Sequence, residues 1–175
     1  MEILNRFSGR MNLPDVKDVL AWMAGDVSRR EVIFSMVGSS ESRVGVNALW
    51  VLTHSDKVHD EWLRSKQDVL IDHLLAETNV GKRRMLLQLL RNQEYDKDSM
   101  RADFLDFCLS KINAECEPYA IRCFSMYCAF KMCRHYSELL EELKIHLSML
   151  AAQSLSPGLK SALNNINSAI NKMER

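Results

Sequence analysis

Residues 31–52 have the sequence EVIFSMV-GSSES-RVGVNALWVL, in which two apolar segments are separated by a short polar break. Residues 68–90 repeat this arrangement, with apolar segments at 68–75 and 81–90 on either side of 76–80. Apolar segments of this length that are joined by a few polar residues are typical of two helices connected by a tight turn. The two stretches therefore predict successive copies of one helix pair.

A short apolar pattern recurs in the second helix of each copy. It consists of two adjacent small or apolar residues, followed three positions later by another apolar residue. Its four occurrences are Ala48-Leu49 with Leu52, Leu86-Leu87 with Leu90, Cys123-Phe124 with Tyr127, and Ala162-Leu163 with Ile166. Successive occurrences are 38, 37 and 39 residues apart. One such triplet occurs in any amphipathic helix, but its regular spacing indicates an internal repeat.

At these segments the sequence resembles the HEAT/armadillo superfamily, in which a helix, a tight turn, a charged residue and an Asn-Ala-Leu-like segment mark the junction between repeats. The resemblance covers residues 28–175, although the proline that often bends the first helix of a HEAT unit is missing and no subfamily motif is present. It implies an all-α fold, a right-handed α-α superhelix of about four stacked helix pairs. In this superfamily the second helices line the concave face.

Local signals predict where the helices begin and end. Ser28 and Glu31 have the spacing of a capping box, which predicts a helix start at Ser28. Ser156 followed by Pro157 predicts that the last helix begins at Pro157. The predicted helices cover 14–24, 29–37, 41–54, 57–76, 80–92, 97–114, 118–135, 137–152 and 157–173. Residues 1–12 are predicted to be a lead-in segment, and 13–175 to form a single HEAT-like domain.

Two of these helices have informative apolar patterns. Residues 119–132 are apolar on nearly every side, which predicts that this helix is the most buried one. The last helix has a single apolar stripe, and polar residues cover its other face. A solenoid needs such a helix at its end, where no further repeat covers it.

The composition limits the compartment and the kind of partner. Lys plus Arg and Asp plus Glu both number 23, so no overall field attracts nucleic acid, and this partner is disfavoured. No run of 18 apolar residues and no signal-peptide pattern is present, which argues against a membrane-spanning or secreted protein. Five cysteines, an odd number in apolar helical context, indicate reduced thiols and predict a cytoplasmic protein.

No arrangement of residues in the sequence predicts a reaction, a cofactor or a metal. The densest candidate is Cys123, Cys128, Cys133 and His135, with Cys116 upstream. A step of five residues turns a helix by about 140°, so the three helical thiols point in different directions and buried structural cysteines are favoured over a zinc site. Asp72-His73 needs a third group before it can act as a general base. We therefore expect a protein without enzymatic activity.

Equivalent positions of successive repeats predict a binding surface for a protein or peptide. Arg64, Lys66, Arg101, Asp103 and Glu142 fall at matching distances before the repeated triplets and are expected to form polar ladders along the second helices. The alternative is that these side chains only keep the surface soluble.

Two other functions remain open at this point. One is a HEAT-like DNA-binding protein or DNA glycosylase, for which Trp22, Trp50 and Trp62 are candidates to stack on a base. The other is a homodimeric structural protein with an adaptable interface supplied by some of the ten methionines. The expected assembly is a monomer or a weak homodimer.

Overall fold

The computed structural model describes residues 2–55 and 60–175, and every regular element within these ranges is helical. The α-helices are α1 Glu2–Asn5, α2 Leu13–Met23, α3 Val27–Ser35, α4 Ser42–Ser55, α5 Glu61–Arg64, α6 Gln67–Ala76, α7 Val80–Arg91, α8 Ala102–Ile112, α9 Tyr119–Cys133, α10 Ser137–Ala151 and α11 Pro157–Met173. Three 3-10 turns are Arg6–Ser8, Met36–Gly38 and Lys97–Ser99. The predicted all-α fold class is confirmed.

Most predicted helices agree with the structure, but the segment 57–76 contains two helices rather than one. The predicted helix 97–114 is also too long, because a 3-10 turn at Lys97–Ser99 precedes an α-helix that begins at Ala102. α5 ends at Arg64 and α6 begins at Gln67. Between them the N–H of Lys66 donates to the carbonyl of Leu63, a tighter bond than the α-helical pattern, and Ser65 donates its hydroxyl to the carbonyl of Trp62 at 2.6 Å. The predicted start at residue 57 lies outside the described residues.

Of the two helix starts that capping signals predict, one agrees with the structure. Ser156 Oγ accepts from the N–H of Leu159 at 3.4 Å, and Pro157 is the first residue of α11, as predicted. The predicted start at Ser28 is wrong, because Asp26 caps α3 by accepting from the N–H of Arg29 at 3.1 Å and thereby places Ser28 inside the helix. A capping box of the same spacing, formed by Asn12 and Asp15 at the start of α2, was missed.

The chain divides into two compact units, residues 1–92 and residues 93–175. In the N-terminal unit α4 packs against α2, α3 and α7, and α6 packs against α7. In the C-terminal unit α9 packs against α8, α10 and α11. The single domain over 13–175, with a lead-in at 1–12, stays a prediction.

Within each unit, hydrogen bonds recur at the spacing of the sequence repeat. Asn47 donates to the carbonyls of Phe7 and Gly9, 40 and 38 residues before it. In the C-terminal unit such bonds are Lys131 to Gln93, Arg134 to Glu94, His135 to Tyr95, Tyr136 to Lys97, Gln153 to Asn113 and Asn165 to Tyr127, with separations of 38 to 40 residues. These separations agree with the 37 to 39 residues between the apolar triplets. The repeat that the triplets predict therefore also governs which segments touch.

α9 is the most buried of the described helices, as its apolar sequence predicted. Eight of its fifteen residues are buried, including the polar residues Arg122 and Ser125. Arg122 is 4% exposed and donates from Nε to the carbonyl of Ile112 at 3.0 Å and from Nη2 to Gln153 Oε1 at 2.7 Å. The guanidinium thus satisfies the last carbonyl of α8, where a positive charge is also favoured by the helix dipole.

Candidate partner-binding site

A cluster of aromatic and charged side chains, the tryptophan cluster, connects α3 to the segment 60–66. Its members are Arg30, Glu31, Phe34, Asp60, Trp62 and Lys66. The ring of Trp62 meets that of Phe34 edge-on, with centroids 5.9 Å apart and planes at 85°. Its Nε1 donates to Glu31 Oε1 at 2.9 Å. Because Trp62 is half-buried, part of this large amphipathic ring remains accessible to solvent.

Two cations lie against the aromatic rings of the cluster. The guanidinium of Arg30 is 4.1 Å from the centroid of Trp62, and Lys66 Nζ is 5.7 Å from both the Trp62 and the Phe34 centroids. Such contacts contribute about 0.5–1 kcal/mol each at exposed sites. Each cation also has a carboxylate: Arg30 pairs with Asp60, and Lys66 Nζ is 2.7 Å from Glu31 Oε1. The cluster therefore has no excess charge.

The ion pairs of the cluster are reflected in the acidity of Glu31. The hydrogen bond from Lys66 lowers the pKa of this carboxyl, and the bond from Trp62 acts in the same direction against the effect of burial. Glu31 therefore remains charged, and its contacts with the two side chains persist, to a lower pH than for an ordinary glutamate.

A cleft of about 380 Å³ opens beside the tryptophan cluster. It is lined by Leu20, Met23, Ala24, Gly25, Arg30, His54, Ser55 and Asp60, which come from the ends of α2 and α4 and from the cluster itself. Gly25 has φ of 73°, and no atom of the described residues lies within 4 Å of where its Cβ would be, so these residues leave the wall open there. A volume of this size accommodates one or two side chains of a bound protein, between an apolar wall and the Arg30–Asp60 ion pair.

One of the two predicted ladder residues of the N-terminal unit lies in this cluster. Lys66, the N-cap residue of α6, belongs to it, and Arg64 lies exposed at the end of α5. The sequence alone showed neither the aromatic partners of Lys66 nor the cleft. The sequence signal that could have pointed here is that all three tryptophans lie in residues 1–92, because tryptophan is enriched at protein interfaces.

The ladder residues of the C-terminal unit have separate surroundings. Arg101 and Asp103 bond to each other through two hydrogen bonds of 2.9 and 2.7 Å at the start of α8, and the bond from Arg101 lowers the pKa of Asp103. Glu142 is exposed on α10. Asp103 is the second residue of its helix and Glu142 the sixth, so the two do not occupy the same helical position. Their role in binding stays a prediction.

Three of the five cysteines form part of the core of the C-terminal unit. Cys108, Cys128 and Cys133 are buried, Cys123 is half-buried and Cys116 is exposed. Burial raises the pKa of Cys133 to about 12, with a further contribution from the charge of Glu142. Within the described residues no group of three or more His, Cys, Asp or Glu is arranged to bind a metal ion.

A contact between thiols of different helices was not visible in the sequence. Burial and a hydrogen bond with Cys128 raise the pKa of Cys108 on α8 well above its usual value. Burial, followed by the nearby Cys128, does the same for the phenol of Tyr95. The Cys108 thiol is therefore a protonated core group, which makes it a poor nucleophile and metal ligand.

The comparison with known families decides the classification. The family model of the HEAT repeat domain matches residues 3–170, nearly the whole chain. The chain belongs to the HEAT repeat domain family. This membership confirms the resemblance seen in the sequence. The chain is thus an all-α member of a family of helical-repeat scaffolds. No curated protein and no solved structure matches it. In the described part of the chain, no helix combines the length and apolarity needed to cross a bilayer.

Proposed function

We propose that this HEAT repeat protein is a non-catalytic scaffold of the cytoplasm that binds a protein or peptide partner. The observation that carries the proposal is the tryptophan cluster beside an open cleft. Tryptophan and arginine are enriched among the residues that dominate binding energy at protein interfaces, especially where a pocket receives a partner side chain.

The charges of the cluster favour a protein over a nucleic acid. Affinity for DNA or RNA comes largely from cations that neutralise phosphates. Arg30 and Lys66 are each paired with a carboxylate of the same cluster, so a phosphate would have to displace Asp60 or Glu31. A protein side chain that enters the cleft leaves both ion pairs in place. This difference supports the scaffold over the DNA-binding alternative.

The test uses the full chain and a pair of matched variants. A partner captured from native cells is identified, purified and titrated by calorimetry against the wild type and against Ala24→Arg. Ala24 is exposed at the rim of the cleft, so the arginine obstructs the cleft without entering the core. Ala21→Arg is the control, since Ala21 is exposed on α2, the helix that Ala24 follows, but does not line the cleft.

We expect Ala24→Arg to weaken binding by about tenfold or more, a loss of about 1.4 kcal/mol, and Ala21→Arg to leave it nearly unchanged. Arg64→Glu, at the exposed end of α5, is expected to weaken binding in the same direction. If a purified partner binds all variants equally, the cleft is not its binding site. Steeply salt-dependent binding to a DNA duplex instead of a protein would replace the proposal by the DNA-binding alternative, and a solution mass of two chains without a partner would replace it by the homodimer.

A further inference from the structure

The second helices of the N-terminal unit, α4 and α7, carry charged side chains of one sign. α4 has 14 residues and includes Arg43, and α7 has 12 residues and includes Lys82, Arg83, Arg84 and Arg91. Neither helix contains Asp or Glu, whereas about three would be expected at the average frequency of the chain, which has 23 in 175 residues. The acidic residues of this unit lie on other segments, including α2, α3 and α6. Charge is therefore segregated between the helices of the unit.

The second helices of the C-terminal unit also lack acidic residues, but their cations are not available as a group. α9 and α11 contain no Asp or Glu. On α9, Arg122 is buried and bonds to α8, and Lys131 is paired with Glu94. Lys160 and Lys172 of α11 are exposed but lie about 18 Å apart along the helix axis. The candidate binding surface is therefore the one formed by α4 and α7.

The starts of α4 and α7 lie side by side. A Cβ on Gly45, the fourth residue of α4, would be 3.2 Å from Cε of Lys82, the third residue of α7. Packed helices have axes about 8–10 Å apart. Arg43 and Arg84 each lie two residues from this contact, which places their Cα atoms roughly 11 Å apart. One ligand segment of a few residues can therefore reach both.

Both of these guanidinium groups are available to a ligand. Arg43 and Arg84 are exposed, and within the described residues neither has a hydrogen bond or an ion pair. Of the nearest carboxylates in sequence, Glu77 is paired with Lys82 at 2.7 Å, and Glu41 is exposed and forms no ion pair in the part of the chain that the structure describes. An anionic ligand would thus displace no carboxylate of this chain, in contrast to the tryptophan cluster.

Apolar side chains continue the exposed stripe of α4. Val46 and Trp50 follow Arg43 by three and seven residues, the spacing of one helix face, and both are half-buried. On α7, the half-buried Gln88 follows Arg84 by one turn. Because α4 packs against α3 and α7 against α6, these stripes lie away from the first helices. We call Arg43, Val46, Trp50, Arg84 and Gln88 the basic face.

The charge and apolarity of the basic face match an acidic segment of a protein. Arginine binds a carboxylate through two parallel hydrogen bonds, and a half-buried tryptophan offers contact area to an apolar side chain. A nucleic acid fits less well, because its binding commonly neutralises about six to ten phosphates and is typical of strongly basic domains, whereas this chain has a net charge of zero. We propose that the basic face binds an acidic segment of a partner protein, with its carboxylates paired to Arg43 and Arg84 and an apolar side chain against Trp50.

This proposal rests on the proposed function in one respect, namely that the ligand is a protein. Arg43 and Arg84 do not line the cleft beside the tryptophan cluster, so the two proposals fail separately. A phage-displayed library of random dodecapeptides is selected on the full chain, and the selected peptides are synthesised with a fluorophore and titrated by anisotropy. The double variant combines Arg43→Glu with Arg84→Glu. The control combines Lys160→Glu with Lys172→Glu, which changes the net charge equally at exposed positions of α11.

We expect the selected peptides to be enriched in Asp and Glu. The double variant should bind them about tenfold or more weakly, and the control should change binding by less than about twofold. Arg43→Gln combined with Arg84→Gln, which removes the charges without reversing them, should give a smaller loss. Raising the salt from about 0.05 to 0.5 M should weaken binding to the wild type, because exposed ion pairs are screened.

An exchange of charges gives a test in which binding is gained. The selected peptides are resynthesised with lysine at each acidic position, and these peptides should bind the double variant more tightly than the wild type. Both substituted arginines are exposed, so the circular dichroism of the double variant should equal that of the wild type. A gain of binding in the variant would show that its basic face is folded and that charge determines the ligand.

Four outcomes would overturn the assignment. The first is that no peptide is selected, and the second is that the selected peptides are not enriched in acidic residues. The third is that they bind the double variant and the wild type equally, including the case in which Ala24→Arg abolishes binding, which would support the cleft instead. The fourth is that a labelled DNA duplex binds the wild type more tightly than any selected peptide and is lost in the double variant, which would assign the face to nucleic acid.

Discussion

Replacing Gly45 by alanine tests how closely α4 approaches its neighbours. A Cβ at this position would lie 2.9 Å from the backbone oxygen of Val37 and 3.2 Å from Cε of Lys82. The lysine side chain is flexible and can move, although it is paired with Glu77 at 2.7 Å. The carbonyl of Val37 belongs to the 3-10 turn Met36–Gly38, so it moves only if the turn moves. Gly45→Ala is therefore expected to destabilise the N-terminal unit.

Two opposing effects determine the magnitude. Overpacking a tight contact costs about 1–3 kcal/mol. Alanine in a helix interior is more favourable than glycine by about 1 kcal/mol. Because the contact is with the backbone, we expect the packing cost to fall in the upper part of its range, which leaves a net destabilisation of about 1–2 kcal/mol.

Urea unfolding followed by tryptophan fluorescence measures this effect. Trp22, Trp50 and Trp62 are the three tryptophans of the protein, and all lie in residues 1–92. For a slope of about 2 kcal/mol per molar urea, the midpoint is expected to fall by about 0.5–1 M. The matched control is Gly158→Ala, in which the new Cβ meets no atom of the described residues within 4 Å, so helicity followed by circular dichroism should show an unchanged or slightly higher midpoint. An unchanged or raised fluorescence midpoint for Gly45→Ala would refute the close approach.

Three further changes test other parts of the structure. Asn47→Ala leaves the carbonyls of Phe7 and Gly9 without their donor, so we expect the free energy of unfolding to fall by about 1–3 kcal/mol and hydrogen exchange in residues 7–11 to become faster. Unchanged exchange in these residues would contradict this role of Asn47. Burial raises the pKa of Glu94, but the charges of Lys131 and Arg134 outweigh this effect and lower the pKa below its usual 4.5. The stability that the Glu94 carboxylate contributes is therefore present above pH 4.5 and lost as the pH falls through the lower pKa of the folded state. Glu94→Gln should flatten this acidic part of a plot of the free energy of unfolding against pH. Cys116 is the exposed thiol among the described residues, so Cys116→Ser should abolish rapid alkylation of the native protein. Rapid alkylation that persists in this variant would contradict the burial of the other cysteines.

Helix positions were predictable because their signals are local. The proline at 157 and the apolar stripe of α11 lie within one helix, and both the start and the buried face of that helix agree with the structure. The predicted start of α3 was wrong because Asp26 and Ser28 are both good capping residues and lie only two positions apart. Sequence spacing favoured Ser28, whereas the structure uses Asp26.

The tryptophan cluster was not predictable, since its contacts join residues that are far apart in sequence. Glu31 and Trp62 are 31 residues apart, and their hydrogen bond depends on which faces of α3 and α5 meet. Lys66 was selected as a surface residue for its register alone. Lys66, which contacts two aromatic rings, lies in the break between α5 and α6, where the sequence predicted one continuous helix.

The repeat itself explains why its apolar part is visible in the sequence and its polar part is not. Every helix pair must bury an apolar face against the next, so the triplets recur with similar chemistry. Carbonyls in the turns need donors one repeat later, and any donor of suitable reach suffices. The carbonyls of Phe7, Gln93 and Tyr95 are bonded by the side chains of Asn47, Lys131 and His135, which differ in type but lie at nearly the same separation. Because the spacing is kept while the residue type changes, these bonds form no motif, although they fix the register in which the helix pairs stack.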